Sequence, residues 1–226
     1  MKRKNVSLIA GAAICTLTVL LTVVYAAVSG MFVHAEYIPP CDLDSYAAEA
    51  IRSVTENGLM STETKDGAVY FYPARTVTRA ELAKTLSLLL ALPSKDYENA
   101  PLGFADEQSI SKETLPYIRA VVAGGHIKLH SDYAFRPDAD VSREEAADIF
   151  GSLLSGAVSS GKSEAFSDFD QISAHFLENA KKTVDYSIMI GYPDGTFQPK
   201  NVLTREELAL ILYRLTQKDY LIKRNS

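Results

Sequence analysis

One short block of sequence recurs three times in this chain, and recurrence at fixed register restricts the fold more than any single residue does. Phe71-Tyr72-Pro73, Phe135-Arg136-Pro137 and Phe197-Gln198-Pro199 align at periods of 64 and 62 residues. Eight residues after each Phe stands an arginine: Arg79, Arg143 or Arg205. Twenty-nine residues before each Phe stands an aspartate: Asp42, Asp106 or Asp168. Each arginine sits in a box, Thr78-Arg79-Ala80-Glu81, Ser142-Arg143-Glu144-Glu145 or Thr204-Arg205-Glu206-Glu207. A hydroxyl residue followed three places later by Glu is a capping box. The hydroxyl accepts from a free amide of the first turn, and the carboxylate reaches back to the cap amide. Thr78/Glu81, Ser142/Glu145 and Thr204/Glu207 are therefore expected to start three helices.

The residues that follow agree. Leu82, Leu86, Leu89 and Leu90 share one helical face; Ala146, Phe150, Leu153 and Leu154 hold the same places in copy two, and Leu208, Leu212 and Leu215 the first three in copy three. An earlier helix in each copy is lined by Tyr46, Ala47, Ile51 and Val54, by Leu115, Ile118 and Val122, and by Phe176, Leu177, Ala180 and Val184. The loop between the helices is clearest in copy three, Gly191-Tyr192-Pro193-Asp194-Gly195-Thr196-Phe197, a turn that needs glycine's permissive backbone. A single helix pair cannot bury its own stripe, so the copies must pack on one another. The expected fold is all-α: three tandem helix-loop-helix repeats over residues 37–92, 102–155 and 164–216, with pseudo-threefold symmetry around a shared core. Residues 217–226 form a basic tail.

The N-terminus reads differently. Lys2-Arg3-Lys4 precedes residues 6–33, a run of 28 without a charged side chain. Val33-His34-Ala35 before Glu36 suits cleavage of a signal peptide after residue 35; the run is equally long enough to stay as a membrane-spanning anchor helix. Both place the remainder outside the cytoplasm. Ile14 before Cys15, where a lipoprotein signal has a small residue, argues against lipidation, and leaves Cys41 alone in the exported part. The net charge is -5; without the three basic residues at the start it is 20 Lys+Arg against 28 Asp+Glu, or -8. Such an acidic surface excludes nucleic acid as a partner, since phosphate neutralisation needs a basic one.

The pattern of Phe-x-Asp, a helix, Gly-Tyr-x-Asp-Gly-Thr-Phe-x-Pro and then Thr-Arg-x-Glu closely resembles the S-layer homology (SLH) domain, in three tandem copies over roughly residues 37–216. Copy one keeps its box but has a longer loop, residues 61–70, with Asp66-Gly67 displaced upstream. Copy two departs most: Ser142 replaces Thr, Leu129 stands where Gly191 stands, and Ala134 is read as replacing Gly195. The resemblance implies a three-pronged spindle, exported to the cell wall or the outer face of the membrane. It implies non-covalent binding of secondary cell-wall polysaccharide, often at a pyruvylated sugar. The ligand lies in grooves between repeats, lined by the box arginine and the glycine-rich turn. Carried over, the binding residues are Arg79, Arg143 and Arg205, with Tyr192, Asp194 and Gly195 in the turn.

Independent chemistry supports those arginines. Each takes the first helical position, where free amides and the helix dipole favour an anion, and a guanidinium adds a planar fork for a carboxylate. The competing reading is that each simply pairs with a box glutamate, Glu145 or Glu207. Tyr70, Tyr72, Tyr133 and Tyr192 are stacking candidates for sugar rings or, equally, cover for the core; Phe71, Phe135 and Phe197 read as packing corners. His126 and His130 have metal-ligand spacing but fall in a loop, so no metal and no cofactor is implied. Known phosphate, dinucleotide and nucleophile motifs are missing from the sequence, and capping accounts for the glutamates, so an enzyme is not expected. Two functions lead: a non-catalytic cell-surface polysaccharide-binding module, or an envelope scaffold that contacts other surface proteins and tethers membrane to wall; a wall hydrolase comes a distant third, for want of a recurring unpaired carboxylate pair.

Overall fold

All three boxes begin helices at the expected residue. The hydroxyl of Thr78 accepts from the Glu81 amide at 3.2 Å, Ser142 from Glu145 at 3.2 Å and Thr204 from Glu207 at 3.4 Å. In copy three the reciprocal bond also forms, from the Thr204 amide to the Glu207 carboxylate at 2.9 Å. The computed structural model describes residues 37–43, 46–98, 103–155 and 160–218; those from Pro39 onward belong to one unit. Copy one carries α1 (Ala48–Glu56) and α2 (Arg79–Leu89), copy two α3 (Leu115–Ala123) and α4 (Arg143–Ser152), and copy three α5 (Leu177–Asp185) and α6 (Arg205–Lys218). Residues 6–33, with their signal-or-anchor reading, and residues 219–226 of the tail lie outside the described residues. Among those described, no helix is long and apolar enough to cross a membrane.

Pairing between repeats is cyclic. The second helix of each copy packs on the first helix of the next: α2 on α3, α4 on α5, and α6 back on α1. At the centre, the backbone closes a three-membered ring just before the boxes. The Val77 amide donates to Leu203 O at 2.9 Å, the Leu203 amide to Val141 O at 2.8 Å, and the Val141 amide to Val77 O at 3.0 Å. All three side chains are fully buried, as are Phe71, Phe135 and Phe197. Tyr46 apart, the apolar stripes named from sequence face this core, with Leu89, Leu90, Leu115, Val122, Phe176 and Leu177 half-buried at its edge. The seams differ in detail. At α4–α5 a side chain on Gly151 would fall 2.2 Å from the Asn179 carbonyl, so glycine permits the close approach. At α6–α1 the Tyr213 hydroxyl reaches across to Glu49 at 2.7 Å.

The recurrent aspartates explain the recurrent Phe-x-Pro. Asp42 accepts from the amides of Phe71 and Tyr72 at 2.8 and 2.6 Å. Asp106 holds Phe135 and Arg136 at 2.8 and 2.7 Å, and Asp168 holds Phe197 and Gln198 at 2.6 and 2.8 Å. The second residue of each pair is left-handed although none is glycine: φ is 57° at Tyr72, 58° at Arg136 and 55° at Gln198. A left-handed L-residue costs about 1 kcal/mol or more, and two charge-assisted bonds to one carboxylate offset it.

Two expectations need amendment. The fold is helical but not purely so: the long loop of copy one forms a two-stranded antiparallel hairpin, β1 (Glu63–Lys65) and β2 (Ala68–Tyr70). Asp66 and Gly67, at φ 52° and 80°, make its two-residue turn. In copy two, Ala134 is not the counterpart of Gly195. Its amide takes an Asp132 oxygen just as Thr196 takes Asp194, and its carbonyl accepts from His130 just as Thr196 accepts from Tyr192. Tyr133, left-handed at φ 60°, therefore occupies the glycine position.

Candidate functional site

The box arginines point inward, and each is spent on the neighbouring repeat. Arg79 and Arg143 are 4% exposed and Arg205 1%. In each, Nε donates to the carbonyl of the next phenylalanine around the ring: Arg79 to Phe135 at 2.7 Å, Arg143 to Phe197 at 2.9 Å, Arg205 to Phe71 at 2.8 Å. The Nη2 groups go to Lys128 O at 3.0 Å, Ile190 O at 3.3 Å and Ser61 O at 2.6 Å. The Nη1 groups pair with the box glutamate of that same neighbour: Arg79 with Glu145, Arg143 with Glu207 at 3.0 Å, and Arg205 with Glu81. Each guanidinium also lies over the phenylalanine ring it serves, 4.3 to 5.1 Å from its centroid. The pairing with Glu145 and Glu207 does form, but across repeats and not within a box. Burial drags the Arg205 guanidinium down to about 10, still charged at neutral pH.

The free amides expected at these helix starts are taken as well. Arg79, Arg143 and Arg205 donate theirs to Ala139, Asn201 and Arg75 carbonyls at 2.9 Å each. Ala80, Glu144 and Glu206 donate to the carbonyls of Pro137, Pro199 and Pro73, at 2.9, 3.0 and 3.0 Å. A helix start whose donors already hold backbone oxygens has little left for an anion. The anion-cradle expectation for the box is corrected accordingly: its polarity holds adjoining turns together.

Beside Arg143 the surface opens into a groove of about 760 Å³. One wall is the copy-three turn, Ile190, Gly191, Tyr192 and Pro193; a second is α6, with Glu206, Glu207, Leu210 and Arg214; Tyr46 comes from the entry to α1. Tyr192 organises the inner end. Its hydroxyl bonds to Glu207, and its ring lies 4.7 Å from the Arg143 guanidinium, which also lies 5.1 Å from the Phe197 ring. Burial, then the Glu207 bond, pushes the Tyr192 hydroxyl well above its usual value.

The other seams are built differently. Beside Arg205 lies a smaller hollow of about 460 Å³ walled by polar groups, among them Arg75, Thr78, Lys84 and Thr114. Beside Arg79, the equivalents of Ile190 and Tyr192 are Lys128 and His130. Burial, then the nearby Arg79, holds His130 below its ordinary value, so it is neutral at pH 7.

Of the sequence-nominated residues, the groove gathers Arg143 and Tyr192. Asp194 and Gly195 lie outside its lining: Asp194 accepts from the Thr196 amide at 3.0 Å and hydroxyl at 2.6 Å, and Gly195 takes φ 81°, so both shape the turn. Tyr46, assigned from sequence to the buried stripe of α1, is 76% exposed at the groove. Ile190 and Arg214 were missed. Arg214 had a signal: nine residues after its box arginine, it stands where the other copies have Leu88 and Ser152. Among the described residues, no group of three or more His, Cys, Asp and Glu could hold a metal.

Comparison with known proteins fits this architecture. The family model described as the S-layer homology domain matches residues 42–83, 103–147 and 165–209. The chain is similar to a cellulosome-anchoring protein of Acetivibrio thermocellus, 37% identical over 86 residues, covering 37% of this chain and 19% of that protein. It is also similar to an S-layer protein of Bacillus thuringiensis subsp. finitimus, 25% identical over 205 residues, 90% of this chain and 24% of the other. An endoglucanase of Bacillus sp. is 27% identical over 168 residues, 70% of this chain and 17% of the enzyme. The matches thus span less than a quarter of each of these three relatives.

Proposed function

Because the chain belongs to the S-layer homology domain family, we propose that it is a non-catalytic cell-surface module that holds an anionic, pyruvylated wall polysaccharide in the groove that copy three forms with Arg143 of copy two and Tyr46 of copy one. The observation that carries this reading is the lining of that groove. Tyr192 and Tyr46 offer ring faces for the apolar C–H faces of sugars, Ile190 and Leu210 add apolar wall, and the Arg214 guanidinium supplies positive charge for a ketal carboxylate. Such a pocket suits a carbohydrate better than either of its pseudo-symmetry mates, where Lys84 and Asp148 stand for Leu210 and Lys128 for Ile190. The names of the relatives, an anchoring protein and an S-layer protein, favour the same placement outside the cell, on the wall.

Sedimentation with wall sacculi tests it. The full chain should co-sediment with sacculi that retain their acidic polymer and stay in the supernatant once that polymer is stripped or depyruvylated. Equal sedimentation with stripped sacculi removes the polysaccharide from the proposal. A second reading, a scaffold tethered to the membrane and contacting other envelope proteins, is favoured by the uncharged run at residues 6–33. Mass spectrometry of the N-terminus decides it: an intact start supports the tether, a start at Glu36 the released wall protein.

A further inference from the structure

We propose that Arg214, and not a box arginine, makes the contact with the ligand's carboxylate, an inference that rests on the groove reading above. The conclusion follows from what each cation has left to give. Arg143 already binds the Phe197 carbonyl, the Ile190 carbonyl and the Glu207 carboxylate, one with each of its three nitrogens, and its guanidinium lies 4.7 Å from the Tyr192 ring and 5.1 Å from the Phe197 ring. Three of its five N–H groups are taken and it is 4% exposed, so a ligand carboxylate finds little of it to contact; its partner Glu207 is itself held by Tyr192 and by the Thr204 amide. Arg214 is differently placed. It lines the same groove from α6 and donates Nη1–H to the Ile188 carbonyl at 3.0 Å, which fixes one end of its fork. Among the described residues no carboxylate is paired with it. Partial burial lowers its proton affinity, against the influence of Tyr46 and helped by Arg143, in a lining that also holds Glu206 and Glu207.

The pocket thus contains a half-buried guanidinium anchored on one side and open on the other, at the edge of an apolar wall. A bidentate guanidinium–carboxylate contact in such a place is worth more than one on open surface. Leu88 and Ser152 at the equivalent positions cannot make it. The same residue therefore both supplies the charge and selects one seam out of three.

The test uses a pair of small glycosides that differ only in charge: one bearing a 4,6-linked pyruvate ketal, the other an isopropylidene ketal, in which a methyl group replaces the carboxylate. Calorimetric titration into the full chain should show tighter binding of the pyruvate ketal, by about tenfold or more. Arg214→Gln should erase that preference while leaving the affinity for the isopropylidene glycoside within about twofold, and Arg214→Lys should restore part of it. Thermal unfolding of both variants confirms that they are folded. A folded Arg214→Gln protein that keeps the full charge preference overturns the assignment of Arg214 and leaves the groove reading standing. A native chain that binds neither glycoside overturns both.

Discussion

The seams beside Arg79 and Arg143 have one skeleton and two chemistries. In both, a buried guanidinium bonds a phenylalanine carbonyl, a loop carbonyl and a glutamate of the next copy. Around that skeleton, Ile190 and Tyr192 on one side answer to Lys128 and His130 on the other. The difference teaches that the repeated residues are repeated because they build the ring, whereas the proposed recognition of a sugar draws on positions that escape repetition. Triplication is a signature of architecture here, and its breakdown marks the candidate ligand groove.

The comparison can be broken most severely at the skeleton. Arg79→Met and Arg143→Met should each cost about 3–5 kcal/mol in urea unfolding, because each strands a half-buried glutamate without its partner. A loss at Arg79 much smaller than at Arg143 would show that the two seams are not equivalent after all.

Adjacent glutamates of copy two give the next largest effect. Burial raises Glu145. Burial also raises Glu144, but Lys200 at 2.7 Å and the Ser173 amide at 2.8 Å outweigh it and hold that carboxyl below its ordinary value of 4.5. A depressed carboxyl stabilises the fold fully above its unfolded value and less as pH falls through the folded one. Glu144→Gln should therefore lose about 2 kcal/mol at pH 7 and correspondingly less in strong acid. Unfolding curves recorded from pH 7 to pH 3 check it; a loss independent of pH contradicts the sign.

Exchanging the variable residues sharpens the contrast in function. Ile190→Lys with Tyr192→His, which imposes the copy-two chemistry on the copy-three groove, should weaken binding to intact sacculi by about tenfold. The reverse exchange, Lys128→Ile with His130→Tyr, should restore nothing without a counterpart of Arg214. Unchanged binding by the first variant would place recognition elsewhere. The smallest effect is expected at the turn: Tyr133→Gly in copy two should raise stability by up to about 1 kcal/mol, since a left-handed, 70% exposed tyrosine gives way to the residue copy three already uses. Destabilisation would mean that the Tyr133 ring packs usefully.

Much of this was legible in the chain itself. Capping boxes, apolar stripes and the need for repeats to cover one another follow from periodicity, and the boxes do start helices at Arg79, Arg143 and Arg205. What periodicity could not supply was the direction of a side chain relative to another copy. Arg at the first helical position is equally consistent with an anion outside and a carbonyl inside, and only the cyclic packing turns it inward. Tyr46 was misplaced for a related reason. It shares the apolar spacing of α1, yet it precedes the helix and faces the groove. The clamp by Asp42, Asp106 and Asp168 was visible as a constant spacing without a visible cause, since a left-handed corner leaves no trace in composition.

The ring of backbone bonds through Val77, Leu203 and Val141 carries a consequence for assembly. A circle of three contacts has no first or last member, so the covalent links between copies are not what defines their order. Protease cleavage in a linker should leave a nicked protein that still sediments as one particle, whereas deleting any one copy opens the circle and exposes two faces at once. Shortened versions ending after the second copy should for that reason self-associate, each seeking from another molecule the third lobe it lacks.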